Sequence, residues 1–195
     1  MKRFIYVCSI GLATLAFQGC SSGPKDAKES ADSLNKTKDT TSNEMATGGI
    51  AVDESDSKFA TEAATGGMAE VALGKLALEK STNAQVKEFA TMMVNDHGKA
   101  NAELMTLAQT KNITLPADVD DEHKKKMADL TKLTGANFDK EYVSAMVDGH
   151  EKTLKLMQDE AKDGKDAELK TFASNTAPVV QTHLTMIKKI HDSMK

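Results

Sequence analysis

Apolar residues recur at intervals of three and four through most of the chain after residue 56, and this spacing predicts helices with one buried face. Four stripes can be followed, and each spans several helical turns. No stretch shows the sustained alternation of period two that predicts a half-buried strand. The pattern therefore predicts an all-α protein. The stripes are Phe59, Ala63, Gly67, Glu70, Leu73 and Ala77; Val86, Ala90, Met93, His97, Ala100, Leu104 and Leu107; Val143, Met146, His150, Leu154, Met157 and Ala161; and Leu169, Phe172, Thr176, Val179, His183, Met186 and Ile190.

Local signals separate the four predicted helices. Thr82 with Gln85 three residues later forms a capping box, which predicts the start of the second helix. The segment 112–116 ends that helix, and Gly164 lies in the turn between the third and fourth helices. A polar connector between the second and third helices contains a short amphipathic segment from Glu122 to Leu133, with its apolar residues facing inward.

Four long helices, two short turns and one long connector predict a four-helix bundle. The connector is long enough to run along the bundle, which produces the antiparallel, ferritin-like order up-down-down-up. A short connector helix that only caps one end of the bundle is the alternative. We predict the ferritin-like arrangement, with a short extra helix between helices 2 and 3, for a domain that covers residues 56–195.

The N-terminus has the features of an export signal. Two basic residues precede an apolar run from Phe4 to Phe17, which is shorter than the roughly 20 residues that a membrane span requires. The tripeptide Phe17-Gln18-Gly19 lacks the small-residue pattern of ordinary signal cleavage, and together with Cys20 it resembles a bacterial lipobox. We predict a signal peptide at residues 1–19 and lipidation of Cys20; a plain secretory signal with an incidental cysteine is the alternative.

The segment 20–55 is predicted to be a disordered tether, because its residues are almost all polar and offer little apolar surface to bury. The only other cysteine, Cys8, lies in the predicted signal peptide, so the mature chain would contain no disulfide. We expect a lipid-anchored protein of the cell envelope, outside the cytoplasm. Ser21 favours the outer membrane if the chain comes from a double-membraned bacterium.

Charge limits the choice of partners. Without Lys2 and Arg3, 23 basic residues stand against 29 acidic ones, a net charge of about −6. No basic patch is evident, so nucleic acid is not an expected partner. The membrane, reached through the lipid anchor, is the predicted partner, and the sequence identifies no protein partner.

Each predicted helix carries one potential metal ligand within its apolar stripe. Burying a carboxylate or imidazole without a partner is costly, so mutual contact explains four such residues better than four independent events. With a rise of about 1.5 Å per residue, the first two lie at matching depths in the bundle, whereas the last two match less well. Pro178 lies inside the fourth helix and makes that height less certain. The four residues are Glu70, His97, His150 and His183.

These residues allow two interpretations. Imidazole and carboxylate ligands suit zinc, iron, nickel or copper, so a transition-metal site is the first. Met93, Met146 and Met186 lie one turn from a core histidine and would suit Cu(I), although methionine at helical spacing is ordinarily core filling. The second interpretation is a structural or interaction module in which the same residues form a polar core network without an ion.

Catalysis is not predicted. Di-iron carboxylate bundles use Glu-x-x-His motifs, and no histidine here has glutamate three residues before it. No nucleophile-and-base arrangement is evident either. Asp96 and Asp148 precede core histidines closely and either orient them or lie on solvated faces; His123 and His191 are expected at the surface.

The sequence also resembles a known family. The resemblance is to the bacterial domain-of-unknown-function family 4142, and it extends from about Lys58 to the C-terminus. It implies a ferritin-like bundle found in exported proteins, and it implies no established biochemical role. The matching residues are Phe59, Gly67, Glu70-Val71, Leu73-Gly74-Lys75-Leu76-Ala77, Phe89-Ala90, Met93-Val94-Asn95-Asp96-His97, Leu133-Thr134-Gly135, Phe138-Asp139, Tyr142-Val143, His150, Pro178 and His183-Leu184.

Overall fold

The structure is a computed structural model that describes residues 26–38 and 52–194. Within these residues it contains seven α-helices, one π-helical turn and no strand. No helix in the same two segments is long and apolar enough to cross a membrane. The predicted signal peptide and Cys20 lie outside the described residues. The elements are α1 (Ala27–Lys38), α2 (Glu54–Lys80), α3 (Ala84–Met92), the π-turn (Met93–His97), α4 (Gly98–Thr110), α5 (Asp121–Thr131), α6 (Gly135–Asp163) and α7 (Ala167–Ser193).

Contacts at the helix ends establish the order of the bundle. The Asp56 carboxylate, at the start of α2, accepts hydrogen bonds from the backbone N–H groups of Lys165 and Asp166 in the α6–α7 turn. Lys80, at the other end of α2, lies over the ring of Phe138 near the start of α6. Helices α2 and α6 are therefore neighbours that run in opposite directions, and α7 packs on both α6 and the second rod, α3–π-turn–α4. This is the predicted up-down-down-up order.

The connector runs the length of the bundle, as the ferritin-like prediction requires. At one end, Lys111 is bonded to Asp166 and Glu168 beside the start of α7. Asn112 has a φ of 55°, a left-handed conformation that commonly ends a helix, and so terminates α4. The connector reaches the start of α6 at the opposite end. Within it, α5 buries Leu130, and it packs Met127 and Leu133 against the core, also as predicted.

The core consists of two apolar clusters separated by a polar layer. The bundle has four long rods, which are α2, α3–π-turn–α4, α6 and α7. On each rod, one buried polar residue separates the residues that belong to the first cluster from those that belong to the second. Helix α2, for example, contributes Phe59 to one cluster and Leu73 to the other, with buried Glu70 between them. His97, His150 and His183 occupy the same level on the other three rods.

Part of the predicted tether is a packed helix, so that prediction was wrong for residues 27–38. Helix α1 packs on α2, where Asp32 accepts a hydrogen bond from the Thr61 hydroxyl. Asn35 is buried and exchanges two hydrogen bonds with the backbone of Thr114, at 2.9 and 2.7 Å. The segment has few apolar residues, and polar contacts rather than a hydrophobic stripe attach α1 to the bundle. Residues 20–25 and 39–51 of the predicted tether lie outside the described residues.

Two local predictions were also wrong. The N-cap of α3 is Asn83 rather than Thr82, because its side-chain oxygen accepts from the N–H groups of Gln85 and Val86. On α7, Val179 is 42% exposed and Val180 is buried. The buried face of α7 is broader than the predicted stripe, because Ala173, Val180, Leu184 and Ile187 are also buried, and Val179 lies at its exposed edge.

Candidate metal centre

The structure brings the four predicted core residues together. His97 ends the π-turn, and His150 and His183 lie in the middle of α6 and α7; all three are buried. Their ring centroids form a nearly equilateral triangle with sides of 5.3, 5.5 and 5.7 Å. Glu70 of α2 adjoins two of these rings. His183 therefore lies at the same depth as the other three residues, although the estimate from helical rise had suggested a poorer match. Each of the four rods contributes one buried polar side chain at this level.

The π-turn that holds His97 was not predicted from the sequence. It inserts one extra residue into the helical path, and such insertions occur frequently at functional sites. The turn packs on α2 next to Gly74, where an added Cβ would lie 3.0 Å from the carbonyl oxygen of Ala90 and 3.1 Å from Val94. The apolar stripe of this rod passes through the π-turn without a break, so its spacing gave no signal of the insertion.

Each imidazole has one nitrogen engaged with a neighbour on its outer side. His150 Nδ1 lies 2.8 Å from the carbonyl oxygen of Met146, and since a carbonyl only accepts, this nitrogen carries the proton. His97 Nδ1 lies 2.7 Å from Glu70 Oε2. His183 Nε2 lies 3.1 Å from Asp96 Oδ2. These three contacts fix the orientation of the rings and leave the other nitrogen of each ring available to a ligand from elsewhere.

The remaining ring nitrogens have no hydrogen-bond partner although they are buried. They are Nε2 of His97, Nε2 of His150 and Nδ1 of His183. A buried polar atom without a partner costs on the order of 1–3 kcal/mol, so three in one place require an explanation. Each histidine offers a nitrogen within 4.8 Å of those of the other two, which is close enough for one metal ion to bind all three.

Glu70 lies beside the outer nitrogens of the triangle. Its Oε1 is 3.6 Å from His150 Nδ1 and accepts a hydrogen bond of 3.4 Å from the Thr153 hydroxyl. Its Oε2 contacts His97 Nδ1, as described above. The carboxylate therefore contacts the same nitrogens whose protons point away from the centre of the triangle.

The charges of the site are set by burial and by Glu70. Burial opposes ionisation of Glu70, but the charge and hydrogen bond of His97 outweigh it and lower the pKa of the carboxyl below its ordinary value. Burial also opposes protonation of His97, and Glu70 overcomes this and raises the pKa of that imidazole. Burial lowers the pKa of His150, and burial together with the charge of His97 lowers the pKa of His183. Two of the three rings are therefore neutral at neutral pH, which is the form that binds metal.

Asp96 orients a core histidine, but this is His183 of α7 rather than His97, the histidine next to it in the sequence. It belongs to the π-turn, its side chain is 38% exposed, and it holds His183 Nε2. Asp148 instead lines a surface groove. His123 pairs with Asp120, and both His123 and His191 are partly exposed, outside the triangle.

Two surface openings approach the site from opposite faces of the bundle. A cleft between α4 and α7, of about 330 Å³, is lined by His97, His183 and Asp96. A groove between α2 and α6, of about 310 Å³, is lined by Glu70 and Met146. We refer to them below as the α4–α7 cleft and the α2–α6 groove.

The methionines near the histidines belong to the apolar core. Met93 and Met146 are buried members of the cluster that also contains Leu73, and Met186 packs against it, partly buried. This is the ordinary core role that the sequence allowed for them.

Comparison with known proteins identifies a family and a fold. A family described as "Domain of unknown function (DUF4142)" matches residues 25–190. Two solved structures are similar: CopM in the Cu(II)-bound form, with a TM-score of 0.62, 15% identity and coverage of 72% of this chain and 97% of that one, and CopM in the Cu(I)-bound form, with a TM-score of 0.61, 16% identity and coverage of 71% and 96%. At this identity the likeness shows the fold alone. No curated protein matches the chain.

Proposed function

The chain belongs to the DUF4142 family, whose description assigns no activity, and we propose that it binds one copper ion through His97, His150 and His183. One observation carries the proposal: the three buried ring nitrogens that lack hydrogen-bond partners belong to histidines able to place a nitrogen each within 4.8 Å of the others. A single ion bound by all three satisfies these atoms at once.

The choice of copper rests on the ligands and on the fold. Imidazole suits copper, zinc, iron and nickel, and among divalent first-row ions Cu(II) binds a given nitrogen site most tightly. The similar structures are of CopM, whose descriptions specify Cu(II) and Cu(I). Zinc and iron, which the sequence also allowed, are the competitors to be tested.

We assign Glu70, Asp96 and the Met146 carbonyl the role of orienting the three ligands. Metal-binding histidines ordinarily donate their second N–H to a carboxylate or carbonyl, which fixes the ring and makes the ligand nitrogen more basic. Each ring here has such a partner. The sequence prediction counted Glu70 among the ligands, and in this proposal it is a positioning residue.

The experiment that tests the proposal combines metal analysis with thermal unfolding. Protein purified after growth with copper, zinc and iron should contain copper at about one ion per chain. Added Cu(II) at about 100 times the Kd should stabilise the fold by about 2.7 kcal/mol, and His150→Ala should abolish this stabilisation. His191→Ala, which alters a partly exposed histidine, is the matched control and should retain it. Absence of bound metal and of any stabilisation would reject the proposal.

A polar core without an ion is the second candidate, and one observation favours it. Contacts of Glu70 with His97 and His150, and of Asp96 with His183, already link all four rods. In a structural or interaction module of this kind, replacing His150 by leucine should leave stability equal or higher, because buried polar networks are often no better than apolar packing. Added copper should then have no effect on wild-type stability.

We also propose that the bundle is attached to the cell envelope by a lipid on Cys20, with the outer membrane as the favoured location. The apolar run that ends at the Phe17-Gln18-Gly19-Cys20 motif supports this proposal. The membrane is then its partner, and the copper comes from the extracytoplasmic space. Expression of the full chain with Cys20→Ser should shift the protein from the membrane fraction to the soluble fraction. Equal membrane association of both forms would reject lipid anchoring.

A further inference from the structure

Three imidazole ligands leave at least one coordination position of a copper ion open, as happens in metal sites with three protein ligands. Glu70 is poorly placed to fill it, because its two oxygens already contact outer ring nitrogens and the Thr153 hydroxyl. The direction in which the open position faces decides how an ion enters the site and what else can bind to it.

The two surface openings differ in what separates them from the ligand atoms. Two of the three imidazoles, those of His97 and His183, themselves line the α4–α7 cleft. None of the three lines the α2–α6 groove, where Glu70 intervenes. His150 is fully buried and lines neither opening.

The mouth of the α4–α7 cleft is in contact with solvent close to a ligand. Asp96 is 38% exposed there, and its carboxylate is hydrogen-bonded directly to the ring of His183. Val179, 42% exposed, lies on the opposite wall. Glu103 and Lys99 also line the cleft, so two carboxylates and one ammonium group lie along it, and the negative charges outnumber the positive one.

We propose that the open coordination position faces the α4–α7 cleft, and that copper enters and leaves through this cleft while a small donor molecule from solvent occupies that position. This inference rests on the proposed function, since it concerns the same three histidines. The donor binds as a fourth ligand and is the group that a copper carrier or chelator replaces during exchange.

The test uses full-length protein loaded with Cu(II), with azide as the anionic probe and EDTA as the acceptor of the ion. Azide should change the visible and EPR spectra of the wild-type protein. Val179→Trp should narrow the cleft, weaken azide binding, and slow copper removal by about tenfold at unchanged copper content. Val179 is exposed, so the fold should tolerate the change; Ala100→Phe, on the α4 wall, is a second variant with the same expected effect.

Lys152→Trp is the matched control. Lys152 is exposed and lines the α2–α6 groove, so this variant should bind azide and release copper as the wild type does. Copper bound at one ion per chain with no azide response, unchanged release in both cleft variants, or slowed release in Lys152→Trp would overturn the cleft route and leave the copper site standing. Failure of the wild-type protein to bind copper would overturn both.

Discussion

Glu70 Oε2 lies 2.7 Å from His97 Nδ1, and both residues are buried. This contact joins α2 to the π-turn of the second rod at the level of the metal centre. It raises the pKa of His97 and lowers that of Glu70, so the ionised pair is favoured in the metal-free protein. Because Nδ1 of His97 faces Glu70, Nε2 is the nitrogen left for an ion, which would replace the proton that Nε2 carries in the ionised pair.

We expect Glu70→Gln to weaken copper binding by about 10- to 100-fold, the usual effect of losing a partner that orients a ligand. The amide can still accept a hydrogen bond, but its charge is gone, so the pKa of His97 should fall. Competition titration measures the affinity, and NMR pH titration measures the pKa. Glu62→Gln, on the same helix and half-exposed, should change neither quantity. Unchanged affinity in Glu70→Gln would exclude the orienting role.

Glu160 gives the bundle a pH dependence of its own. It is buried near the end of α6, its Oε1 lacks a hydrogen-bond partner, and burial together with Asp56 and Asp166 raises its pKa to about 7. The unfolded chain binds this proton only below about pH 4.5. Between pH 4.5 and 7 the folded state therefore holds more protons than the unfolded state. The contribution of Glu160 to stability should fall as the pH rises through this window, and the loss is complete above pH 7.

Glu160→Gln should consequently stabilise the protein by about 2 kcal/mol at pH 8 and have little effect at pH 4. Urea unfolding at a series of pH values measures the difference. Asp163→Asn, an exposed carboxylate at the same helix end, is the control and should alter the pH profile much less. A Glu160→Gln effect of equal size at both pH values would show that the change acts through packing rather than through the charge.

Asn35→Ala should release α1 from the bundle. The substitution removes both hydrogen bonds to Thr114 and leaves the backbone N–H and C=O of Thr114 without these partners. The loss should lower the stability of this contact by about 1–3 kcal/mol. Hydrogen exchange should show reduced protection of residues 27–38 and little change elsewhere. Leu34→Ala alters an exposed neighbour on the same helix and should leave the protection intact. Equal protection in both variants would mean that the contacts with α2 alone hold α1.

Replacing two helical glycines, Gly74 and Gly98, by alanine should change the stability of the protein in opposite directions. An added Cβ at Gly74 would press on the backbone of Ala90 and on Val94, so Gly74→Ala should destabilise the protein by about 1–3 kcal/mol. At Gly98 a Cβ would meet nothing within 4 Å, so Gly98→Ala should gain about 1 kcal/mol of helix propensity. Denaturant unfolding compares the two. An increase in the stability of both variants would show that α2 and the π-turn can move apart at little cost in free energy.

Periodicity predicted the fold because it depends on which residues are apolar, and these repeat over many turns. It also selected Glu70 and the three histidines, since polar residues within an apolar stripe stand out. It could not find the π-turn, because one inserted residue changes hydrogen bonding without changing the stripe. Helix α1 escaped prediction for another reason: Asn35 attaches it through a contact with Thr114, 79 residues away along the chain, which no local pattern records.

Strict alternation failed at Val179 for a geometric reason. At about 100° per residue, Val179 lies about 40° to one side of His183 around the helix axis, whereas Val180 lies about 60° to the other side. The buried residues Ala173, Leu184 and Ile187 lie on the same side as Val180, so Val179 falls at the exposed edge of the face. His183 lies within the face and is buried.

The polar layer divides the interior into two apolar blocks, each built from parts of all four rods. The blocks meet across the three imidazoles, and one nitrogen of each ring has no hydrogen-bond partner there. An ion bound there would join the three rods that carry His97, His150 and His183 at a single level, and Glu70 of α2 would contact two of these ligands. We therefore expect bound metal to reduce the independent movement of the two apolar blocks, because ligands from three rods would be held together at the level where the blocks meet.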